Sequence, residues 1–159
     1  MGTGSMESGR SALDDELVDT LRRRRAELRA SLNALELALA APAAADPDRW
    51  WQRVHVALVE LSADLREHLA VNEGPQGLHE EVRRSAPWLS GPVDRLTADH
   101  VQIQAMLDRL LAHEEAPEPA ELDELRDTAT DLLVRLVRHR QRGADLLYEA
   151  AAVDLGGGD

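Results

Sequence analysis

Apolar residues recur every three or four positions along most of the chain, which is the spacing of one face of an α-helix. The first such stripe lies between Ser11 and Ala41, and Ser11 is the predicted N-cap of this helix. The stripe consists of Leu13, Leu17, Leu21, Leu28, Leu32, Leu35 and Leu39. The pattern therefore predicts one long amphipathic helix near the start of the chain.

Breaks that contain proline divide the rest of the chain into three further helical segments. Asp46 followed by Pro47 predicts the start of the second helix, because proline is tolerated at the first helical position. Residues 91–92, Gly-Pro, open the third helix, and residues 117–119 separate it from the fourth, which fades into the glycines at 156–158. Four amphipathic helices with short connections predict an all-α fold, an antiparallel four-helix bundle.

We expect the bundle to occupy residues 11–155 as one domain, because 159 residues is an ordinary size for a single domain. Residues 1–10 are predicted to be a tag remnant and N-terminal tail, with Met6 as the natural start. Residues 156–159 are predicted to be a C-terminal tail.

One interruption falls within the second helical segment, at Glu73-Gly-Pro-Gln-Gly77. Pro75 cannot donate the helical hydrogen bond expected there, so the sequence predicts a kinked second helix. Two interpretations are open at this stage. The kink either lets a long helix follow the bundle, or it turns Glu73 inward beside His68 and opens a route to the core.

Composition and charge narrow the possible functions. The absence of cysteine excludes thiolate metal sites and thiol catalysis, and the longest apolar run, Leu37 to Ala41, is far shorter than the roughly 20 residues of a membrane-spanning helix. The formal charge of −12 argues against nucleic-acid binding, and we predict that the one basic block, Arg22 to Arg25, is a solvated flank. We therefore expect a soluble, cytoplasmic protein that binds neither nucleic acid nor membrane.

Three of the six histidines, His68, His100 and His139, occupy core positions on the apolar stripes of three different predicted helices. An unpaired buried ring nitrogen costs about 1–3 kcal/mol, so each imidazole needs a partner, either a metal ion or a carboxylate. His55 and His113 lie beside their stripes and are predicted to be surface residues. The break at 73–77 leaves the position of His79 unassigned.

Acidic residues follow two of these histidines along the chain. Glu73 follows His68, and Asp145 and Glu149 follow His139. None of these spacings is the three or four residues that place side chains on one helix face, so each acid needs local unwinding or a long reach to join its histidine. Metal sites in helical bundles combine histidines and carboxylates from facing helices in this way.

Three stretches, REHLAVNEGPQGLHEEV, LTADHVQIQAML and VRHRQRGADLLYEA, give residues 50–154 a resemblance to the hemerythrin-like HHE family. The resemblance implies a four-helix bundle that holds non-haem iron, often as a di-iron pair, and meets oxygen, peroxide or nitric oxide. It also implies His68, His100 and His139 as metal ligands.

The chain departs from the family pattern at several positions. Asn72 and Gly143 stand where a carboxylate usually follows His68 and His139 by four residues, and Gln104 stands where a second histidine could follow His100. The first helix has no histidine, although Glu27 could supply an oxygen ligand. These departures weaken the di-iron interpretation more than the metal interpretation.

The sequence leaves two functions open. Three imidazoles with Glu73 and one of Asp145 or Glu149 would suit a single iron, zinc or manganese ion. The alternative is a metal-free buried network, in a bundle that acts as an interaction or regulatory module with an unknown protein partner. No nucleophile motif accompanies the serines, so the sequence assigns no enzymatic reaction.

Overall fold

The structure, a computed structural model, describes the backbone of residues 5–156 and the side chains of residues 15–150 and 152. The helices are α1 (Ser5–Ala40), α2 (Pro47–Glu73), α3 (Leu78–Ser85), α4 (Ser90–Leu111) and α5 (Leu122–Gly156), with a 3-10 turn at Pro87–Leu89. Within residues 5–156 there is no β-strand. The prediction of an all-α fold is confirmed.

The four long helices α1, α2, α4 and α5 form the bundle. α1 packs most extensively against α2, α2 also contacts α4, α4 packs against α5, and α5 closes the ring against α1. Short connections at 41–46 and 112–121 make α1 antiparallel to α2 and α4 antiparallel to α5. None of the helices within residues 5–156 combines the length and the apolar character needed to cross a membrane.

The ends of the helices differ in part from the predicted ones. α1 spans Ser5–Ala40, so Ser11 lies inside the helix and is not its N-cap, and residues 5–10 of the predicted tail are helical. No proline interrupts this segment, and Gly9 alone does not stop the helix. The side chain of Leu13 and residues 157–159 lie outside the described part of the chain.

The predicted start of the second helix is confirmed in atomic detail. Asp46 is the N-cap of α2, and its side chain accepts a hydrogen bond from the backbone N–H of Arg49 at 3.1 Å. Pro47 occupies the first helical position, where its missing N–H costs nothing.

Two apolar clusters form the core, with the histidines between them. The larger cluster is built from all four long helices and includes Leu65, Ile103 and Leu136 at the end that faces the histidines. In the smaller cluster, α3 and the 3-10 turn pack on α4 and α5. Its members are Val82, Ala86, Leu89, Val93, Leu96 and Leu146. The histidines therefore form a polar layer across an otherwise apolar bundle.

The predicted kink is a complete break between two helices. α2 ends at Glu73, and α3 starts at Leu78 with a separate set of hydrogen bonds. The backbone N–H of Gly77 donates to the carbonyl oxygen of Gly74 at 2.8 Å, which turns the chain sharply. A Cβ atom on Gly77 would lie only 2.6 Å from the carbonyl oxygen of Val71, so glycine is required here by close backbone packing.

Replacing Gly77 by alanine should therefore destabilise the protein, by about 1–3 kcal/mol, because backbone atoms must shift to admit the methyl group. Gly91→Ala in α4 is the matched control, since a Cβ there meets nothing within 4 Å. That control should be neutral or stabilising by up to about 1 kcal/mol. Urea unfolding of both variants measures the difference, and equal stabilities would show that the turn tolerates a side chain at residue 77.

Candidate metal centre

The structure brings together the three histidines that the sequence placed in the core. His68 lies near the C-terminal end of α2, His100 in α4 and His139 in α5. Their side chains are between 4 and 9% exposed, and one ring nitrogen from each lies within 4.8 Å of the others. Because three separate helices supply the rings, the cluster exists only in the folded bundle.

The inner nitrogens of His100 and His139 face each other directly. Their Nε2 atoms are 2.5 Å apart, and their ring centroids are separated by 4.2 Å. The ring of His68 stands edge-on to both, with centroid distances of 6.5 Å. Three imidazoles thus surround one small volume.

Two of these rings each have a carboxylate near their outer nitrogen, Nδ1. Oε1 of Glu73 contacts Nδ1 of His100, and Oδ2 of Asp99 lies 3.8 Å from Nδ1 of His139. Glu73 ends α2 at the break, and its side chain reaches His100 in α4. Asp99 is fixed in turn by Arg142, whose Nη1 donates to it at 2.7 Å.

His79 is a fourth buried imidazole at the site. Its side chain is 4% exposed, and its ring is parallel to that of His100 at a centroid distance of 6.1 Å. It stands outside the three-histidine cluster, and within the described residues its buried Nδ1 has no hydrogen-bond partner. The sequence left this residue unassigned because its orientation depends on the turn at 74–77.

Asn72 occupies the position where a carboxylate was expected after His68. Its Nδ2 donates to the backbone carbonyl oxygen of His68 at 2.7 Å and lies 3.4 Å from either ring nitrogen. The amide therefore steadies the last turn of α2 beside the ring.

The two acids of α5 are not brought to the cluster. Asp145 is exposed and accepts a hydrogen bond from Nε2 of Gln141 at 3.0 Å, and Glu149 is also exposed. Both line a surface groove with Asp99 and Arg142. Because α5 continues as a regular helix after His139, no local unwinding turns either side chain inward.

Two further side chains that the sequence related to the site, Glu27 and Gln104, make their contacts away from the cluster. Glu27 pairs with Arg24 at 3.0 Å. Gln104 donates to Asp108 at 2.8 Å. Neither belongs to the cluster.

Comparison with known protein families gives a result that fits the three-histidine cluster. Residues 16–151 match the family described as Hemerythrin HHE cation binding domain. The protein belongs to this family. The match includes most of α1, which the sequence stretches quoted above did not cover. No curated protein and no solved structure matches the chain.

Burial keeps the imidazoles of this HHE domain neutral. Burial, followed by the charges of the neighbouring imidazoles, lowers the pKa of His68 to about 3. The same causes lower the pKa of His139 to about 4, and burial followed by the charge of His79 lowers that of His100 to about 4. Neutral rings at neutral pH have free lone pairs, which is the state that metal coordination requires.

A cavity of about 210 Å³ adjoins the cluster and reaches the protein surface. His68, His79, His100 and His139 line this cavity, and so do Arg25 and Arg140. The cavity provides room beside the three imidazoles for a small molecule.

The arrangement of protons on the rings shows how well a cation fits the HHE domain. If His100 donates its Nδ1 proton to Glu73, its Nε2 is an acceptor, and without a cation His139 must donate from Nε2. Nδ1 of His139 then carries no proton and is buried without a hydrogen-bond partner among the described residues. A cation between the rings would accept both Nε2 lone pairs and leave a proton on Nδ1 of His139, facing Asp99.

The lowered pKa values predict how stability depends on pH in the metal-free protein. In the unfolded chain a histidine takes up a proton near pH 6.5. In the folded protein His68, His100 and His139 do so only at about pH 4 or below. The unfolded state therefore binds more protons in this window, so the free energy of unfolding should fall as pH drops from about 6.5 to about 4. Glu73 acts in the opposite direction, because burial raises its pKa.

Urea unfolding of chelator-treated protein at a series of pH values tests this dependence. His68→Gln should flatten the slope, and His113→Gln, at an exposed position outside the cluster, is the control. The same slope in wild type and His68→Gln would show that His68 does not cause the pH dependence.

Proposed function

We propose that this HHE domain holds a non-haem iron ion through His68, His100 and His139 and uses it to bind or sense a small oxidant such as oxygen, peroxide or nitric oxide. The observation that carries the proposal is the convergence of three neutral, buried imidazoles in a member of a cation-binding family. Imidazole suits iron as well as zinc, and the resemblance to hemerythrin-like proteins favours iron.

In this proposal Glu73 and Asp99 are positioning residues. A carboxylate that accepts a proton from the outer nitrogen of a ligand histidine fixes the ring and its tautomer and makes the inner nitrogen a better donor. Glu73 contacts Nδ1 of His100, and Asp99 faces Nδ1 of His139. We therefore assign Glu73 to orientation of His100 and leave the exposed Asp145 and Glu149 out of the ligand set.

The cavity suits the binding of a small ligand. Three protein ligands leave part of the coordination sphere open, as catalytic and ligand-binding metal sites require. An iron ion would supply the redox chemistry toward the oxidant. The chain's own contribution is a set of fixed imidazoles, apolar side chains such as Leu96 and Leu146 that limit water, and space beside His79.

One specific observation supports a metal-free alternative. Glu73, His100 and His139 are close enough to form a continuous hydrogen-bonded chain across the bundle. Such a network would fix the relative positions of α2, α4 and α5 in an interaction module. Nδ1 of His139 faces Asp99 at 3.8 Å in this network as it does in the metal proposal, so metal analysis has to decide between the two.

Replacing His100 by alanine should abolish or sharply reduce bound metal while the helical content stays largely intact. His100 contributes a nitrogen at the centre of the cluster, and its loss also leaves Glu73 without its partner. Elemental analysis of protein purified without a polyhistidine tag, together with circular dichroism, measures both effects. His113→Ala removes an exposed imidazole and should retain metal.

Full metal content in His100→Ala would remove His100 from the ligand set. Wild-type protein that takes up neither iron, zinc nor manganese after reconstitution would overturn the metal proposal and favour the hydrogen-bonded module.

Replacing Glu73 by glutamine distinguishes an orienting residue from a ligand. We expect metal affinity to fall about 10- to 100-fold, with one metal per chain retained at saturation, because residues that orient ligands have effects of this size. Competition with a chelator measures the affinity. Loss of stoichiometric binding at saturating metal would instead make Glu73 a ligand.

A further inference from the structure

Four arginines line one depression at the surface between α1 and α5. Arg22, Arg25 and Arg29 belong to α1, where their spacing of three and four residues puts them on one face, and Arg140 belongs to α5. Their proximity results from helix packing, since Arg140 is far from the others in sequence.

Two of these arginines also belong to the histidine cavity. Arg25 and Arg140 are half-buried and line both the arginine depression and the cavity that contains His68, His100 and His139. The sequence predicted a solvated flank for residues 22–25. In the structure Arg22 and Arg23 are exposed, whereas Arg24 and Arg25 are half-buried.

Acidic side chains do not neutralise this cluster, although the chain carries a formal charge of −12. In the part of the chain whose side chains are described, ion pairs within 4.0 Å involve Arg24, Arg83, Arg84 and Arg142, and none involves the four arginines of the depression. Burial, and after it the charge of Arg140, lowers the pKa of Arg25. The fold thus holds like charges together at an energetic cost.

We propose that Arg25 and Arg140, supported by Arg22 and Arg29, bind a small oxyanion at the mouth of the histidine cavity. Guanidinium groups present planar pairs of N–H donors that match the oxygens of phosphate-like and carboxylate anions. A cavity of about 210 Å³ admits such an anion, and the half-buried Arg25 and Arg140 both line it.

This site does not depend on a bound metal, because the arginines themselves supply its charge and its donors. An anion held between Arg25 and Arg140 would occupy the same cavity that leads to the imidazoles. Anion binding and entry of a small molecule to the histidines therefore compete for one space.

Titration of the metal-free protein with inorganic phosphate tests the proposal. Calorimetry at constant ionic strength should show one phosphate per chain, and Arg25→Gln or Arg140→Gln should weaken binding about tenfold or more, since each removes charge-assisted hydrogen bonds. Arg23→Gln is the matched control, because Arg23 lies on the same helix, is exposed and lines neither cavity. It should bind phosphate as wild type does.

Thermal unfolding provides a second readout that a purely structural role would not produce. Without phosphate, Arg140→Gln should unfold at a higher temperature than wild type, because it relieves repulsion between the arginines. Phosphate should then raise the unfolding temperature of wild type and have little effect on this variant.

Equal phosphate affinity in wild type and Arg25→Gln would overturn the proposal, as would the absence of binding at millimolar phosphate. A change in sedimentation of the arginine variants with no change in phosphate affinity would do so as well, and would assign the cluster to a protein contact. Metal content measured on the same samples reports separately on the proposed iron site.

Discussion

The burial of imidazoles in the middle of an apolar bundle is the constraint on which the rest of the structure depends. Each ring has two nitrogens that need partners, and the clusters above and below the histidine layer offer only hydrocarbon. Glu73 and Asp99 approach the outer nitrogens of His100 and His139, so the inner nitrogens face each other. A cation bound between the rings would accept both inner lone pairs, whereas without a cation the two inner nitrogens have to share one proton.

The break between α2 and α3 follows from the same constraint. A continuous helix would turn Glu73 about 140° away from the face of His68 and would place His79 on that face but about 16 Å further along the axis. The turn at 74–77 instead leaves Glu73 in contact with His100 and buries His79 against the ring of His100. The turn is tight because the backbone of Gly77 lies against the carbonyl oxygens of Val71 and Asn72. The proline and glycines of this segment therefore end α2 and also determine where Glu73 and His79 lie at the site.

Helical periodicity explains why part of the site could be predicted. A stripe of period 3.6 fixes which face of a helix is buried, so the positions of His68, His100 and His139 followed from their apolar neighbours. Asp99 could not be found in this way, because it lies beside the stripe and acts through a contact between α4 and α5. Asp145 is close to His139 in sequence, but α5 is a regular helix there and turns the side chain of Asp145 to solvent.

The carboxylates and the arginines around the cavity favour different kinds of ligand, the first a cation and the second an anion. Glu73 and Asp99 lie behind the rings, where a carboxylate makes an imidazole a better donor toward a cation. Arg25 and Arg140 line the cavity itself, where a positive charge favours an anion and does little for a neutral molecule. Oxygen and nitric oxide carry no charge, so they would gain little from the arginines. In the proposed anion site the arginines would therefore add selectivity by charge to any selectivity that the histidines provide.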